Sequence, residues 1–329
     1  MSDQPTPGTS TTPDVPGGSD VSGAAVRPGD RVFRGISFAA GATVLVTMAA
    51  IAAFLIYKSI PALRANTVNF LTFQQWFPDK QPSMFGIGAL LYFTLVTSLL
   101  AMVMAVPVAI GIALYITYYA PRRASQSLGY FVDLLAAVPS IVYGLWGFAF
   151  LARNMTGLTL WLDKWFGWTV IFNYQPTNEP NNLSPFTAGV VLAIMILPII
   201  SSISREVFRQ VPRDQVEAAL ALGATRWEMI RTAVLPFGRA GVTSASILGV
   251  GRALGETLAV TLVLSSVYEV NLHVTESGGV TFASNIALKY GEAGEIGTGA
   301  LIASGLCLFI ITLAVNFTAG LIIRRQRVA

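Results

Sequence analysis

The chain has 329 residues, of which 53% are hydrophobic and only 12% are charged, and its mean hydropathy is +0.62. Soluble domains carry about 25% charged residues, so this composition excludes an ordinary soluble enzyme or binding module as the body of the chain. The net charge of +4 does not indicate a nucleic-acid partner, because in a membrane protein the placement of cations sets orientation. We expect one polytopic domain in contact with membrane lipid.

The N-terminal segment differs from the rest of the chain. Residues 1–30 are rich in Pro, Gly, Ser, Thr and Asp, and such a segment cannot bury enough apolar surface to offset the entropy of ordering. The sequence therefore predicts a disordered tail at 1–30 and a membrane domain at 31–329. Arg31 and Arg34 precede the first apolar run, whose length indicates an uncleaved first helix rather than a signal peptide.

Six apolar segments reach the roughly 20 residues that a helix needs to cross a hydrocarbon core. The predicted spans lie at about 35–57, 90–120, 128–152, 185–208, 241–267 and 299–323. Their uniform apolarity excludes the alternating strands of a membrane barrel. The predicted fold class is an all-α polytopic membrane protein with six transmembrane helices.

The basic residues fix the orientation of these spans. Of the 21 Lys and Arg residues, 14 lie in the segments on the side of both termini, six lie on the other side, and Arg252 lies within a span. The positive-inside rule then places both termini in the cytoplasm, as an even number of spans requires. Two outer loops, at 58–88 and 153–184, are long. The second carries Trp161, Trp165 and Trp168, a spacing that predicts a short interfacial helix.

The cytoplasmic loop at about 209–238 is predicted to hold two short helices. Asp214 with Glu217, and Thr225 with Glu228, have the spacing of capping boxes, and Gly223 suits a left-handed helix end. The second helix is expected to end before Pro236. The first helix is suited to docking against a partner protein or to lying on lipid. A DNA-binding helix-turn-helix has the same outline, but a loop tethered to the membrane at both ends disfavours it.

This loop resembles the EAA loop of ABC importer permeases. The matching residues are Glu217, Ala218, Ala219, Gly223, Leu235 and Pro236. The chain departs from the pattern at Ala233, where the family usually has Ile. The resemblance implies a type I importer permease fold in which the helix at 217–223 couples to an ATP-binding subunit. The chain contains no Gly-Lys pair and hence no phosphate-binding loop of the G-x-x-x-x-G-K-[ST] type, so ATP hydrolysis is expected on a separate subunit.

The ionisable residues that stand out within the predicted spans are Asp133, Arg252 and Glu256. Each costs roughly 2.5–3.5 kcal/mol at a helix centre, so each needs a partner or an aqueous cavity. Asp133 lies near the cytoplasmic end, where water reaches it. Arg252 and Glu256 are four residues apart, which puts them on one face of a continuous helix. They form either a structural ion pair or an anion site, since guanidinium offers a planar fork of donors to oxyanions.

Four stretches resemble the permeases of phosphate-specific ABC importers, of the PstC type. They are Gly-Val-Gly-Arg-Ala-Leu-Gly-Glu-Thr at 249–257, Pro-Ser-Ile-Val-Tyr-Gly at 139–144, Thr-Leu-Val-Thr-Ser at 94–98 and Ala-Val-Pro at 105–107. The resemblance covers about 30–325. It implies a heterodimer with a PstA-type permease, two ATP-binding subunits and an extracytoplasmic phosphate-binding protein in a bacterial cell membrane. It also implies that Arg252 and Glu256 matter for transport, and we expect Ser140 and Tyr143 to flank the pathway.

Several other functions are weighed against this one. Arginine chemistry alone equally suits a permease for sulfate or molybdate. An intramembrane protease would need paired aspartates, a Ser–His dyad or a zinc motif, and the single His273 lies in a loop. A lone Cys307 likewise gives no thiolate cluster, so no metal or cofactor is expected. A purely structural scaffold would not need the intramembrane charges or the EAA loop.

Overall fold

The computed structural model of the chain describes residues 28–173 and 182–328. Most of the predicted tail, 1–27, lies outside the described residues, and 28–30 already belong to the first helix. The helices are α1 (Pro28–Ala65), α2 (Gly88–Leu114), α3 (Arg122–Ala136), α4 (Ser140–Trp146), α5 (Ala152–Phe166), α6 (Pro185–Arg209), α7 (Arg213–Ala221), α8 (Arg226–Met229), α9 (Leu235–Leu254), α10 (Leu258–Val263), α11 (Phe282–Lys289) and α12 (Glu295–Val328).

Shorter elements join some of these helices. Three π-helical turns occur at Tyr115–Tyr119, Gly147–Leu151 and Ile230–Val234, and a 3-10 turn at Val170–Phe172. An outer hairpin pairs β1 (Trp76–Phe77) antiparallel with β2 (Met84–Phe85). The chain divides at Ile51 into two units, and the packing described below lies in the second unit, from Ala52 onward.

The described helices confirm an all-α membrane protein. Five are long and apolar enough to cross a bilayer, and a bent pair formed by Arg122–Ala136 and Ser140–Phe166 brings the number to six if it counts as one span. The predicted third span at 128–152 was expected to be a single rod. Instead it bends by 89° at Pro139, since proline removes a helical donor and disfavours the α conformation of the residue before it.

The bend is held by one side chain. The Tyr143 hydroxyl on α4 donates a hydrogen bond of 2.8 Å to the Leu135 carbonyl near the end of α3. The Leu135 carbonyl also accepts from the Val138 amide at 3.2 Å, so Tyr143 adds a second hydrogen bond to that carbonyl across the break. Tyr143 therefore ties the two halves of the broken span together.

An ion pair joins α3 to α6. The Arg205 guanidinium donates from Nη2 to both Asp133 oxygens at 2.8 and 2.9 Å, and the Ser202 hydroxyl donates to the same carboxylate at 2.8 Å. The Arg205 side chain is 9% exposed and that of Asp133 is 46% exposed. Gly129 packs directly against the guanidinium, where a Cβ would clash. Asp133 thus reaches water, as expected, but its main role in the fold is to neutralise a buried arginine.

The core lies where α2 packs along α6, with α9 against both. Buried alanines at 101, 105 and 109 repeat every four residues on α2, which gives one face of small side chains. Small residues let helix backbones approach closely when lipid supplies no hydrophobic drive for association. This three-helix core fixes the positions of α6 and α9, whose exposed faces carry the candidate site.

The two long outer segments are folded against the helices or lie at their edge. The Asp79 carboxylate accepts hydrogen bonds from the Gly294 and Gly297 amides at 3.0 and 2.8 Å, which holds the hairpin segment onto the start of α12. In the second segment a helix is present, as predicted: Trp161 and Trp165 lie on α5, and Trp168 follows it, all exposed. Residues 174–181 of that segment lie outside the described range.

Breaking the ion pair between α3 and α6 is expected to destabilise the permease. Asp133→Asn leaves the Arg205 guanidinium buried without its counter-charge, and the loss of a hydrogen bond to a charged group costs about 1.5–3 kcal/mol. Thermal unfolding in detergent measures the effect. The matched control is Glu206→Gln, which removes an exposed carboxylate 3.9 Å from Arg209 and should change stability by less than about 1 kcal/mol. Equal unfolding temperatures for the two variants would show that the pair does not stabilise the fold.

Candidate translocation and coupling sites

Arg252 faces a cavity in the membrane-embedded part of the chain. The cavity has a volume of about 500 Å³ and is lined by Ile199, Ile247, Leu248, Gly251, Arg252 and Asn316. These residues come from α6, α9 and α12. Gly251 has no neighbouring atoms where its Cβ would stand, so the space beside Arg252 is open. An exposed guanidinium in a mainly apolar hollow is arranged to attract an anion.

Arg252 and Glu256 do not share a helix face, so that prediction was wrong. The helix α9 ends at Leu254, Gly255 caps it, and Glu256 lies in the break before α10. Glu256 is 9% exposed, and its Oε1 accepts a hydrogen bond of 3.2 Å from the Ala259 amide at the start of α10. Within residues 28–173 and 182–328, no ion pair joins Glu256 to Arg252. The Glu256 carboxylate therefore binds the first turn of α10, and the guanidinium donors of Arg252 remain available to a ligand.

Ser140 and Tyr143 lie on α4, outside the walls of the Arg252 cavity. Tyr143 packs against the helix core instead. Ser140 is the first residue of α4, directly after the Pro139 bend, and is half-buried. The structure therefore places both residues at the bend and does not bring them to the Arg252 cavity.

Sequence reasoning missed Asn316. It sits in the last apolar run, on α12, and lines the same cavity as Arg252. The signal was present, because a single amide among apolar residues in a span is costly unless it is hydrogen-bonded. Only the packing of α12 against α9 shows that this amide shares a cavity with Arg252.

The EAA segment forms an exposed helix, α7, that carries Glu217, Ala218 and Ala219. No residue of α7 is buried, and Leu222 just after it is 90% exposed. Gly223 has a φ of +83°, which confirms the predicted left-handed end, a conformation that costs other residues about 1–2 kcal/mol. An exposed helix with a small-residue face and an apolar end is suited to docking against a partner.

The capping predictions in this loop are partly confirmed. Thr225 and Glu228 form the predicted box, in which the Thr225 amide donates to Glu228 Oε2 at 2.7 Å and the Glu228 amide donates to Thr225 Oγ1 at 3.3 Å. The predicted box at Asp214 was wrong. The helix α7 begins at Arg213 after Pro212, and no side chain caps it, because the fixed φ of proline is sufficient to start the turn.

Pro236 does not end the helix, contrary to prediction. The segment Arg226–Leu254 is one continuous span with a π-helical turn at Ile230–Val234. In that turn the Leu235 amide donates to the Ile230 carbonyl, five residues back. The wider turn displaces the regular hydrogen-bond ladder just before Pro236, where the missing N–H of proline would otherwise break it.

Two hollows border α7. One, of about 260 Å³, includes Tyr118, Arg213 and Glu217 in its wall. The other, of about 500 Å³, includes Ala219 and Ala233. Ala233 is the position where this chain departs from the EAA pattern, and its small side chain leaves the second hollow wider. The surface around the coupling helix is therefore concave on more than one side, as a docking surface requires.

The described residues do not bring three His, Cys, Asp or Glu side chains together as metal ligands. His273 instead pairs with Glu276 at 3.0 Å in an outer loop. In the described residues the two candidate sites are the Arg252 cavity and the loop around α7.

Comparisons with known proteins agree with this arrangement. Residues 105–328 match the family described as binding-protein-dependent transport system inner membrane component. A relative in Mycobacterium tuberculosis, named phosphate transport system permease protein PstC 2, is 48% identical over 295 residues, which are 89% of this chain and 91% of the relative. A PstC protein of Xylella fastidiosa is 39% identical over 312 residues, 94% of each chain.

A solved structure supports the fold independently. A bacterial ABC transporter involved in the import of the acidic polysaccharide alginate superposes with a TM-score of 0.54 at 18% identity, covering 90% of this chain and 99% of that one. At that identity the likeness concerns the fold, while the relatives above carry the family. The chain belongs to the binding-protein-dependent transport system inner membrane components and, within them, to the PstC phosphate transport permeases.

Proposed function

We propose that this chain is the transmembrane permease subunit of an ATP-driven phosphate importer. It passes phosphate from an extracytoplasmic binding protein into the cytoplasm by alternating access. The observation that carries the proposal is the guanidinium of Arg252, exposed in a cavity of about 500 Å³ between α6, α9 and α12. The names of the relatives at 39–48% identity favour phosphate as the anion.

The chemistry of Arg252 fits an oxyanion. An arginine within a span costs roughly 2.5–3.5 kcal/mol, and no carboxylate in the described parts of the chain lies within 4 Å to offset it. A planar guanidinium binds phosphate oxygens through paired donors. Glu256, four residues further on and fixed by the Ala259 amide, lowers the local positive potential without occupying those donors. The anion is thereby attracted to Arg252 and can still be released.

The partners follow from the same proposal. The helix that carries Glu217, Ala218 and Ala219 and ends at Gly223 docks into an ATP-binding subunit, of which the importer has two. The exposed faces of α9 and α12 around Arg252 meet a second, PstA-type permease, and the outer segments receive the loaded binding protein. ATP hydrolysis takes place on the separate subunits. The chain lies in the bacterial cell membrane with both termini in the cytoplasm.

Another oxyanion is the alternative cargo. A guanidinium binds sulfate and molybdate as well as phosphate, so Arg252 alone does not select among them. The relatives are named as phosphate permeases, and this favours phosphate over the alternative. Tyr143, which ties α3 to α4, is proposed as a positioning residue beside the pathway, and Ser140 as part of the same bend.

Replacing Arg252 tests the substrate site. Cells lacking this chain, complemented with Arg252→Gln, should take up radiolabelled phosphate at least about tenfold more slowly than with the unsubstituted chain, because hydrogen bonds to a charged group are worth about 1.5–3 kcal/mol. Excess unlabelled sulfate should not compete. The control is Arg153→Gln, at an exposed position near the start of α5, which should transport normally at equal membrane levels. Normal uptake by Arg252→Gln would remove the assigned role, and no uptake by the unsubstituted chain would remove phosphate as the substrate.

Gly223 tests the coupling helix. No atom lies within 4 Å of its missing Cβ, so a substitution is strained only by its positive φ. Gly223→Val should reduce retention of the ATP-binding subunits and phosphate-dependent ATPase activity, since a β-branched residue at this φ costs about 1–2 kcal/mol. Gly223→Asn, which tolerates the left-handed region, is the matched control and should keep both. If Val and Asn behave alike, the left-handed turn does not matter for coupling.

A further inference from the structure

The Arg252 cavity contains a second polar side chain. Its walls are apolar or glycine apart from Arg252 on α9 and Asn316 on α12. The two residues come from different helices and are 64 positions apart in sequence, so the packing of α12 on α9 brings them to one hollow. Two convergent polar groups in an otherwise apolar cavity are the usual arrangement of a small-molecule site.

Asn316 differs from three hydroxyl residues of α12. The hydroxyls of Ser304, Thr312 and Thr318 each donate to a carbonyl of their own helix, three or four residues back, at 2.7–2.9 Å. Among the residues that the structure describes, none forms a hydrogen bond with the Asn316 amide. In an apolar span such a group is costly without a partner, so Asn316 is available to a group that enters the cavity.

The amide offers chemistry that Arg252 lacks. A guanidinium only donates hydrogen bonds, whereas an asparagine amide both donates and accepts. Inorganic phosphate keeps at least one P–O–H group near neutral pH, and sulfate keeps none. An acceptor in the site can therefore take a hydrogen bond from phosphate that sulfate does not offer. A site of this kind rejects an analogue without the hydroxyl because its own polar group is left unpaired.

We propose that Asn316 is a second contact for the transported anion, whose carbonyl oxygen accepts the P–O–H hydrogen bond and so selects hydrogen phosphate over sulfate at the membrane step. This inference rests on the proposed function. Arg252 supplies the attraction common to all oxyanions, and Asn316 supplies the discrimination. The preference is about two- to tenfold, the size of one net hydrogen bond.

Protection of a cysteine in the cavity wall tests the proposal. The chain has one cysteine, Cys307, so Cys307→Ala with Leu248→Cys gives a single thiol in the lining. The assembled importer, without its binding protein, is alkylated with a maleimide at constant ionic strength in phosphate or sulfate. At mildly alkaline pH both anions are mainly dianions, and they differ in the P–O–H group. Phosphate should protect the thiol at about two- to tenfold lower concentration than sulfate.

Three variants in this background separate the roles of the two side chains. Asn316→Leu should bring the protecting concentrations of phosphate and sulfate together. Asn316→Ala should do the same because alanine offers no acceptor, and its small side chain keeps the test valid if the leucine variant fails to assemble. Arg252→Gln should weaken protection by both anions. Thr318→Val, on the same helix but outside the cavity wall, is the control and should leave the preference intact.

The outcomes distinguish this inference from the proposed function. If phosphate and sulfate protect equally with Asn316 present, or if Asn316→Leu and Asn316→Ala keep the preference, Asn316 does not select the anion. If both variants instead lose the second permease on purification, Asn316 is a contact between subunits and the inference fails. Phosphate uptake by the unsubstituted chain tests the proposed function separately. The outcome of that measurement does not depend on the results with the Asn316 variants.

Discussion

The cost of a charge in hydrocarbon is the constraint on which the rest of this structure depends. The charged side chains in the spans offset this cost in different ways. Arg205 is buried and is neutralised by Asp133 across two helices, and Glu256 is buried and held by a backbone amide. In the described parts of the chain Arg252 has neither solution, and it faces an open cavity. The first two arrangements stabilise the fold, while the third leaves donors whose desolvation only an entering anion or water can offset.

Breaks in the helices are the second consequence of the same constraint. Irregular backbone is tolerated at membrane depth only where protein or a cavity surrounds it. At the Pro139 bend the Tyr143 hydroxyl donates a hydrogen bond to the backbone of α3. At the break after Leu254 the Glu256 carboxylate accepts a hydrogen bond from the Ala259 amide. The break after Leu254 also separates Arg252 from Glu256. Glu256 lies in the protein interior, whereas Arg252 stays on the last turn of α9 and faces the cavity.

Local chemistry predicted much of this molecule. Long apolar runs predicted the spans. The turn in the loop around α7 was predicted from the spacing of Thr225 and Glu228 and from Gly223, because helix caps depend on neighbours in sequence. The bend at Pro139 and the end of α9 were missed, since an uninterrupted apolar pattern does not show where a tertiary contact stabilises a break. Asn316 was missed for the same reason, as only helix packing relates it to Arg252.

The helix continues through Pro236 and so connects the loop around α7 with the Arg252 cavity. Had the helix ended there, a hinge would separate the coupling loop from the cavity. Instead Arg226–Leu254 is continuous over 29 residues, or about 43 Å at 1.5 Å per residue, with the Thr225 capping box at one end and Arg252 on its last turn. In the proposed importer, a displacement of the coupling helix by the ATP-binding subunit therefore passes along one rod to the guanidinium. The π-helical turn that accommodates Pro236 is what keeps this rod intact, so transmission depends on it as much as on the docking surface.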